Sequence, residues 1–144
     1  MSRENIETSR RAIDEVFNQG KLDVIDEITT DDFVSHDTMA GEGDRESDKQ
    51  VVSGYRDAFP DLECTIDEIF AAGDKVVLRW TANGTFENDL MGQKATGEKG
   101  RGVEGITIDR YEGDKIAESW TQWNTLVFLQ DIGAIPSGAE ATAS

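Results

Sequence analysis

The chain has almost nothing with which to bind a metal or cross-link itself. It holds one cysteine, Cys64, and one histidine, His36, in 144 residues. A lone cysteine excludes an intrachain disulfide and fits a reducing, cytoplasmic setting. One cysteine and one histidine do not complete a zinc site. Long apolar runs are missing too: none approaches the roughly 18 residues that span a bilayer. The opening "MSRENIETSRRAIDEV" is too polar for a secretory leader. Basic residues are scarce, with 14 Lys plus Arg against 30 Asp plus Glu and a net charge of −16. Such a surface repels phosphate backbones and anionic lipid, which argues against nucleic-acid and membrane partners. The acids are spread along the chain rather than gathered in a tail. That spread suits a high-salt cytoplasm, where screening tempers self-repulsion; an ordinary acidic protein is the alternative.

Several site motifs are absent as well. "DTMAGEGDRESD" is acidic and looped, but Met39 and Gly41 fall where a calcium loop needs oxygen ligands. "GEKGRG" lacks the Gly-Lys-Ser/Thr ending of a phosphate loop and leads into a strand. No G-x-S-x-G nucleophile elbow occurs.

What is present fits one domain, residues 1–135, followed by a flexible tail, 136–144, of frayed composition. Residues 3–19 form an amphipathic helix, with Ile6, Ile13, Val16 and Phe17 on one face and Gly20 as its stop. "KLDVIDEIT" predicts a short second helix, and "DDFVSHD" a short extended piece before an acidic loop, 40–46. Ser47 and Gln50 are spaced as a capping box for a third helix. That helix carries Val52, Tyr55 and Phe59 on one stripe and ends at Pro60. Beyond it, "LECTIDEIFAA" and "KVVLRWTANGTF" flank Gly-Asp, and "VEGITIDRY" and "KIAESW" flank Glu-Gly-Asp: two hairpins. A long connection, 87–102, separates them, and "TLVFLQDIG" adds a short apolar turn. Helices first and strands after predict an α+β fold, a cone-shaped curved antiparallel sheet packed against N-terminal helices. A hollow inside such a cone is a usual ligand site.

"DFVSHD", "YRDAFPDLECTIDEIFAAGDKVVLRWTANGTF", "LMGQKATG" and "ITIDRYEGDKIAESWTQWNTLVFLQDIG" together resemble the SnoaL-like polyketide cyclases, a branch of the nuclear transport factor 2-like superfamily (cystatin-like roll). The likeness covers roughly residues 5–135. It implies a homodimer paired through the outer sheet faces, a small apolar organic ligand, and no metal or organic cofactor. It also implies acid–base ring closure by intramolecular aldol condensation of a polyketide ester. The aspartate that shuttles the proton in such cyclases falls here at Thr121. Its strand partners fall at Gly105 and Thr107, and the polar residue after the second helix at Ser35. Thr121 does not ionise near neutrality and Gly105 has no side chain, so this position departs from the pattern.

The remaining candidates are open at this level. His36, in "SHDT", is the one imidazole available as a base; the alternative is a loop histidine that caps backbone. Adjacent side chains on extended chain point to opposite faces, which separates His36 from Asp37. Glu104 and Glu118 face outward if the pocket uses the Thr121 side; if it uses the other, Glu118 becomes a candidate base. Asp67 is either an acid/base or part of a solvated face. Asn124 joins Thr121 and His36 as a candidate catalytic group. Phe17, Phe33, Tyr55, Phe59, Trp80, Trp120 and Trp123 supply an aromatic wall, with Ser35 and Thr107 as polar contacts. Two functions follow: a cofactor-independent cyclase, isomerase or lyase acting on a small apolar carbonyl compound, or a non-catalytic binding domain. A hydrolase or dehydratase using Asp67 or a glutamate ranks behind both.

Overall fold

The computed structural model describes residues 2–136. The predicted tail, 136–144, lies outside the described residues apart from Pro136. Helix α1 runs Ser2–Arg11 and continues through Ala12–Phe17 with wider winding, in which the Asn18 amide bonds the Ile13 carbonyl five residues back. Two short segments follow, α2 (Val24–Ile28) and strand β1 (Thr29–Asp37), then β2 (Gly41–Gly43) and the long helix α3 (Arg45–Ala58). Four strands complete the sheet: β3 (Glu63–Ala72), β4 (Lys75–Asn83), β5 (Val103–Glu112) and β6 (Lys115–Trp123). Helix α4 (Thr125–Asp131) closes the described chain. Among the described residues no helix is long and apolar enough to cross a membrane.

The six strands form one sheet in the order β2-β1-β6-β5-β4-β3. The two predicted hairpins are present, and each turn opens on a glycine at positive φ, Gly73 (+61°) and Gly113 (+65°). A glycine reaches that conformation without the steric cost a side chain brings. Every pairing is antiparallel except one. β1 runs parallel to β6, with Ser35 opposite Ser119 and Asp37 opposite Thr121. "DDFVSHD" is therefore the last seven residues of a nine-residue strand, fixed by a partner more than 80 positions away in the chain.

Three local expectations change. The third helix starts at Asp44, not Ser47: the Asp44 side chain accepts from the Ser47 amide, and the Ser47 hydroxyl accepts from the Asp44 amide. Aspartate is as good a cap as serine, and Asp44 stands where the chain is still extended. The apolar turn after β6 is a two-turn helix, α4, capped by Asn124, whose side chain accepts from the Val127 amide at 3.2 Å. The sheet is also mixed rather than wholly antiparallel, at the β1–β6 joint.

The core fills the concave side. Ile13 and Val16 from the first helix, Ile25 and Ile28 from α2, and Val52 from α3 pack on Val76, Leu78 and Ile116 of the sheet. A second cluster, Phe59, Phe86, Phe128 and Ile132, plugs one end. Asn18 ties the first helix to β3 by two bonds, to the Cys64 carbonyl at 3.0 Å and from the Cys64 amide at 2.6 Å.

Candidate functional site

The helices do not fill the bend of the sheet completely. Between the first helix, α3 and the concave face of β1, β4, β5 and β6 lies a cavity of about 260 Å³. Its lining is mostly apolar, with Phe17, Phe33, Val52, Phe59 and Leu78 among the walls. Strand alternation settles which side chains reach it. Ser35 and Asp37 of β1, Trp80 of β4, Thr107 and Asp109 of β5, and Ser119, Thr121 and Trp123 of β6 all border it. The pocket therefore uses the Thr121 side, and the two glutamates lie outward as that alternative requires. Glu104 is exposed, and Glu118 bonds His36 and Arg110 on the opposite face.

Four of the candidate side chains do not point into the cavity. Trp120 is on the outer face, stacked on His36 with ring centroids 5.5 Å apart. The His36 backbone runs along the cavity, but its ring is turned away, with Nε2 2.6 Å from Glu118 Oε2. Their opposition across the parallel β1–β6 register brings the two rings together. His36 thus has a carboxylate partner, but the partner is Glu118 rather than Asp37. Asn124 spends its side chain on capping α4. Asp67 accepts from the Thr81 hydroxyl at 2.6 Å and does not border the cavity.

Two predicted polar groups that reach the cavity, Thr107 and Thr121, form a neutral chain with Trp80. Trp80 Nε1 donates to Thr107 Oγ1 at 3.0 Å, and that hydroxyl is 3.0 Å from Thr121 Oγ1. The indole lies over Gly105, its cross-strand neighbour, and a β-carbon at position 105 would overlap the ring. The missing side chain at Gly105 is what lets Trp80 reach Thr107. Nearby, Trp123 Nε1 donates to Asp37 Oδ1 at 3.2 Å, and Tyr55 meets the Trp123 ring edge-on at 6.2 Å.

Ionisable groups are present after all, at positions the sequence reading passed over. Asp48 projects from the first turn of α3 into the cavity. Burial raises its carboxyl to about 6; the Ser35 hydroxyl pulls it down, and the carboxyls of Asp37 and Asp44 add smaller upward pushes. Its cavity-facing edge keeps it only half-buried by surface, while protein packed around the rest makes burial the main cause. Asp109 is 4% exposed. Burial raises it as well, against the bonds from the Ser119 and Ser9 hydroxyls. Both had a signal in the sequence. Position 48 extends the Val52–Tyr55–Phe59 stripe by one turn, and position 109 shares strand parity with Thr107. At the rim, Asp131 is already paired, accepting from Arg101 Nε at 2.6 Å.

A titratable carboxyl in an apolar cleft, beside neutral hydroxyls that hold an oxygen, suits proton transfer at a bound carbonyl compound. Comparison with known proteins places the chain among relatives. The family profile described as "SnoaL-like polyketide cyclase" matches residues 7–132. Three solved structures share the fold. AclR from Streptomyces galilaeus, a candidate hydroxylase, is 24% identical at TM-score 0.86, covering 99% of this chain and 92% of its own. A candidate SnoaL-like polyketide cyclase from Jannaschia sp. CCS1 is 23% identical at TM-score 0.83, covering 94% and 95%. IdmH from Streptomyces antibioticus, a candidate polyketide cyclase, is 28% identical at TM-score 0.79, covering 90% and 98%. No curated protein sequence matches.

Proposed function

Given that the chain belongs to the SnoaL-like polyketide cyclase family, we propose that it is an acid–base enzyme, independent of organic cofactors, that acts on a small or medium apolar carbonyl compound of polyketide type. Asp48 is its base. The Thr107 and Thr121 hydroxyls receive the carbonyl oxygen, and the aromatic walls hold the carbon skeleton. The Asp48 carboxylate takes a proton alpha to the carbonyl, and the electron pair of that C–H bond moves into an enolate. In ring closure the enolate carbon bonds to a second carbonyl of the same molecule, and Asp48 returns its proton to the oxygen formed there. In an isomerisation the proton returns to a different carbon. The observation that carries this reading is the Asp48 carboxyl standing in an apolar cavity beside Ser35; burial there pushes it up to about 6, the range wanted of a base working near neutrality.

The test is alpha-proton exchange. The chain is incubated in heavy water with a panel of β-keto esters and aromatic polyketide esters, and deuterium uptake is followed by NMR. The wild type is expected to exchange, with the rate rising through about pH 6 as Asp48 ionises. Asp48→Asn is expected to lose roughly 100-fold or more while still binding the ester. Undiminished exchange in that variant removes Asp48 from the role. A wild type that binds and never exchanges leaves the second reading, a binding domain, which the neutral Trp80–Thr107–Thr121 chain favours.

We also propose that two copies pair through the outer sheet face. Phe70, Val77, Ile108, Trp120 and His36 stand opposite one another in register across five strands, making an apolar row. Phe70 and Ile106 are each 47% exposed there.

A further inference from the structure

Asp109 sits in a closed string of short oxygen–oxygen contacts. Ser119 Oγ is 2.6 Å from Asp109 Oδ1, and Ser9 Oγ is 2.8 Å from Oδ2. Ser9 Oγ is also 2.6 Å from the Tyr111 hydroxyl, which is 2.8 Å from the Asn5 carbonyl oxygen. Each of these four contacts needs one hydrogen between its oxygens; without it, two lone-pair-bearing atoms would face each other at close range. Ser119, Ser9 and Tyr111 bring one hydroxyl hydrogen each, and the Asn5 carbonyl brings none. Three hydrogens do not fill four contacts. The fourth has only one possible owner, the carboxyl group itself.

We propose that Asp109 is a neutral carboxylic acid in the folded protein, the proton-bearing partner of Asp48 in the cavity wall. Its hydrogen lies toward Ser9, the Ser9 hydrogen toward Tyr111, and the Tyr111 hydrogen on the Asn5 carbonyl. Ser119 donates to the other carboxyl oxygen. The surroundings agree. Ser9 has no accessible surface, and Tyr111 and Asp109 are each 4% exposed. Among the described residues no lysine, arginine or histidine bonds Asp109. The ionisable groups that reach it are Tyr111 on its own strand and Asp48 from α3, with Asp37 of β1 acting in turn on Asp48. A charge on Asp109 would have no counter-ion and a like-charged neighbour.

The consequence for the cavity rests on the acid–base reading of Asp48. Two carboxyls in one apolar site divide into a member that keeps its proton and a member that titrates. Asp109 is thus a positioning residue: by staying neutral it leaves Asp48 as the carboxylate free to ionise near neutrality.

Carboxyl carbon NMR of uniformly labelled wild-type protein, assigned through the backbone and followed from pH 4 to 8, reads both groups without any variant. Asp109 is expected at the shift of a neutral acid at pH 7, with the matching infrared acid carbonyl band lost in Asp109→Asn. Asparagine can donate to Ser9 and accept from Ser119, so that variant keeps all four contacts. It should also leave the Asp48 midpoint where it stands in the wild type, whereas loss of a negative charge at 109 would bring it down. Its folded-to-unfolded ratio relative to wild type should climb by up to about tenfold per pH step above pH ~4. A carboxylate shift for Asp109 at pH 7, a fallen Asp48 midpoint, or a relative ratio that declines with pH overturns the proposal. None of these readouts involves turnover, so an ionised Asp109 beside an Asp48→Asn variant that loses exchange would sink this inference and leave the Asp48 base intact.

Discussion

Asp48→Asn should make the protein more stable, by an amount that depends on pH. The native carboxyl titrates at about 6 against an ordinary value of 3.8. Each pH step between the two is worth about 1.4 kcal/mol, so the charged form costs the fold roughly 3 kcal/mol above pH 6. Water at the cavity-facing edge reduces this to about 2 kcal/mol. The sign follows from the direction of the shift. A carboxyl raised in the folded state contributes its full stability below the unfolded value, near pH 4, and loses it as pH rises through about 6. Asparagine keeps the shape and the contact with Ser35 and has no charge to bury. Urea unfolding of both proteins at half-unit steps from pH 4 to 8 gives the difference directly, and the many other carboxylates cancel in it. The difference should start near zero at pH 4 and level off at about 2 kcal/mol in favour of the variant above pH 6.5. A difference that is flat with pH would mean Asp48 is not desolvated, and one that falls would mean it is held charged by a partner. Either outcome refutes the reasoning that makes it a base.

Other expectations are simpler. Gly105→Ala should push the Trp80 indole off the strand, break its bond to Thr107, and cost about 1–3 kcal/mol, read as a drop in Tm and a shift in tryptophan emission. Ile108→Glu, in the middle of the outer-face row, should lower the mass of the assembly seen by sedimentation while leaving the far-ultraviolet spectrum unchanged; an unchanged mass ends the pairing proposal. With a net charge of −16, the fold should gain stability from low to molar salt as self-repulsion is screened. Equal stability in dilute buffer and molar salt would remove the salt-adaptation reading.

The sequence shows the scaffold better than the site, and for a physical reason. Helices and hairpins announce themselves locally, through the 3.6-residue spacing of Ile13, Val16 and Phe17 and through the Gly-Asp turns. The parallel partner of β1 leaves no local mark, because it is chosen by packing across the whole fold. The cavity face was ambiguous because β5 is two-sided: Ile106 and Ile108 alternate with Thr107 and Asp109, and the apolar set looks like the inward one. In the structure the polar set faces the hollow and Ile106 is 47% exposed. Asp48 was hidden by its address. An acid in the first turn of a helix is the usual companion of the dipole, and only the docking of α3 against β1 turns it inward. His36 and Trp120 drew attention as chemically rich side chains beside the right residues, yet one step along a strand reverses the direction a side chain points.

The parallel joint between β1 and β6 also orders events in time. Residues 29–37 leave the ribosome early, but the backbone they bond to is among the last parts of the domain to be made. Until then that early strand has only the three-residue β2 as a companion. The hairpins β3–β4 and β5–β6 can form from neighbouring chain, whereas the β1–β6 seam must wait for a long loop to close. A chain stopped before residue 115 would therefore lack more than one strand: Ser35, Asp37 and the helix carrying Asp48 would be left without the surface that holds them in place. The proton-handling wall takes shape only once β6 is in place.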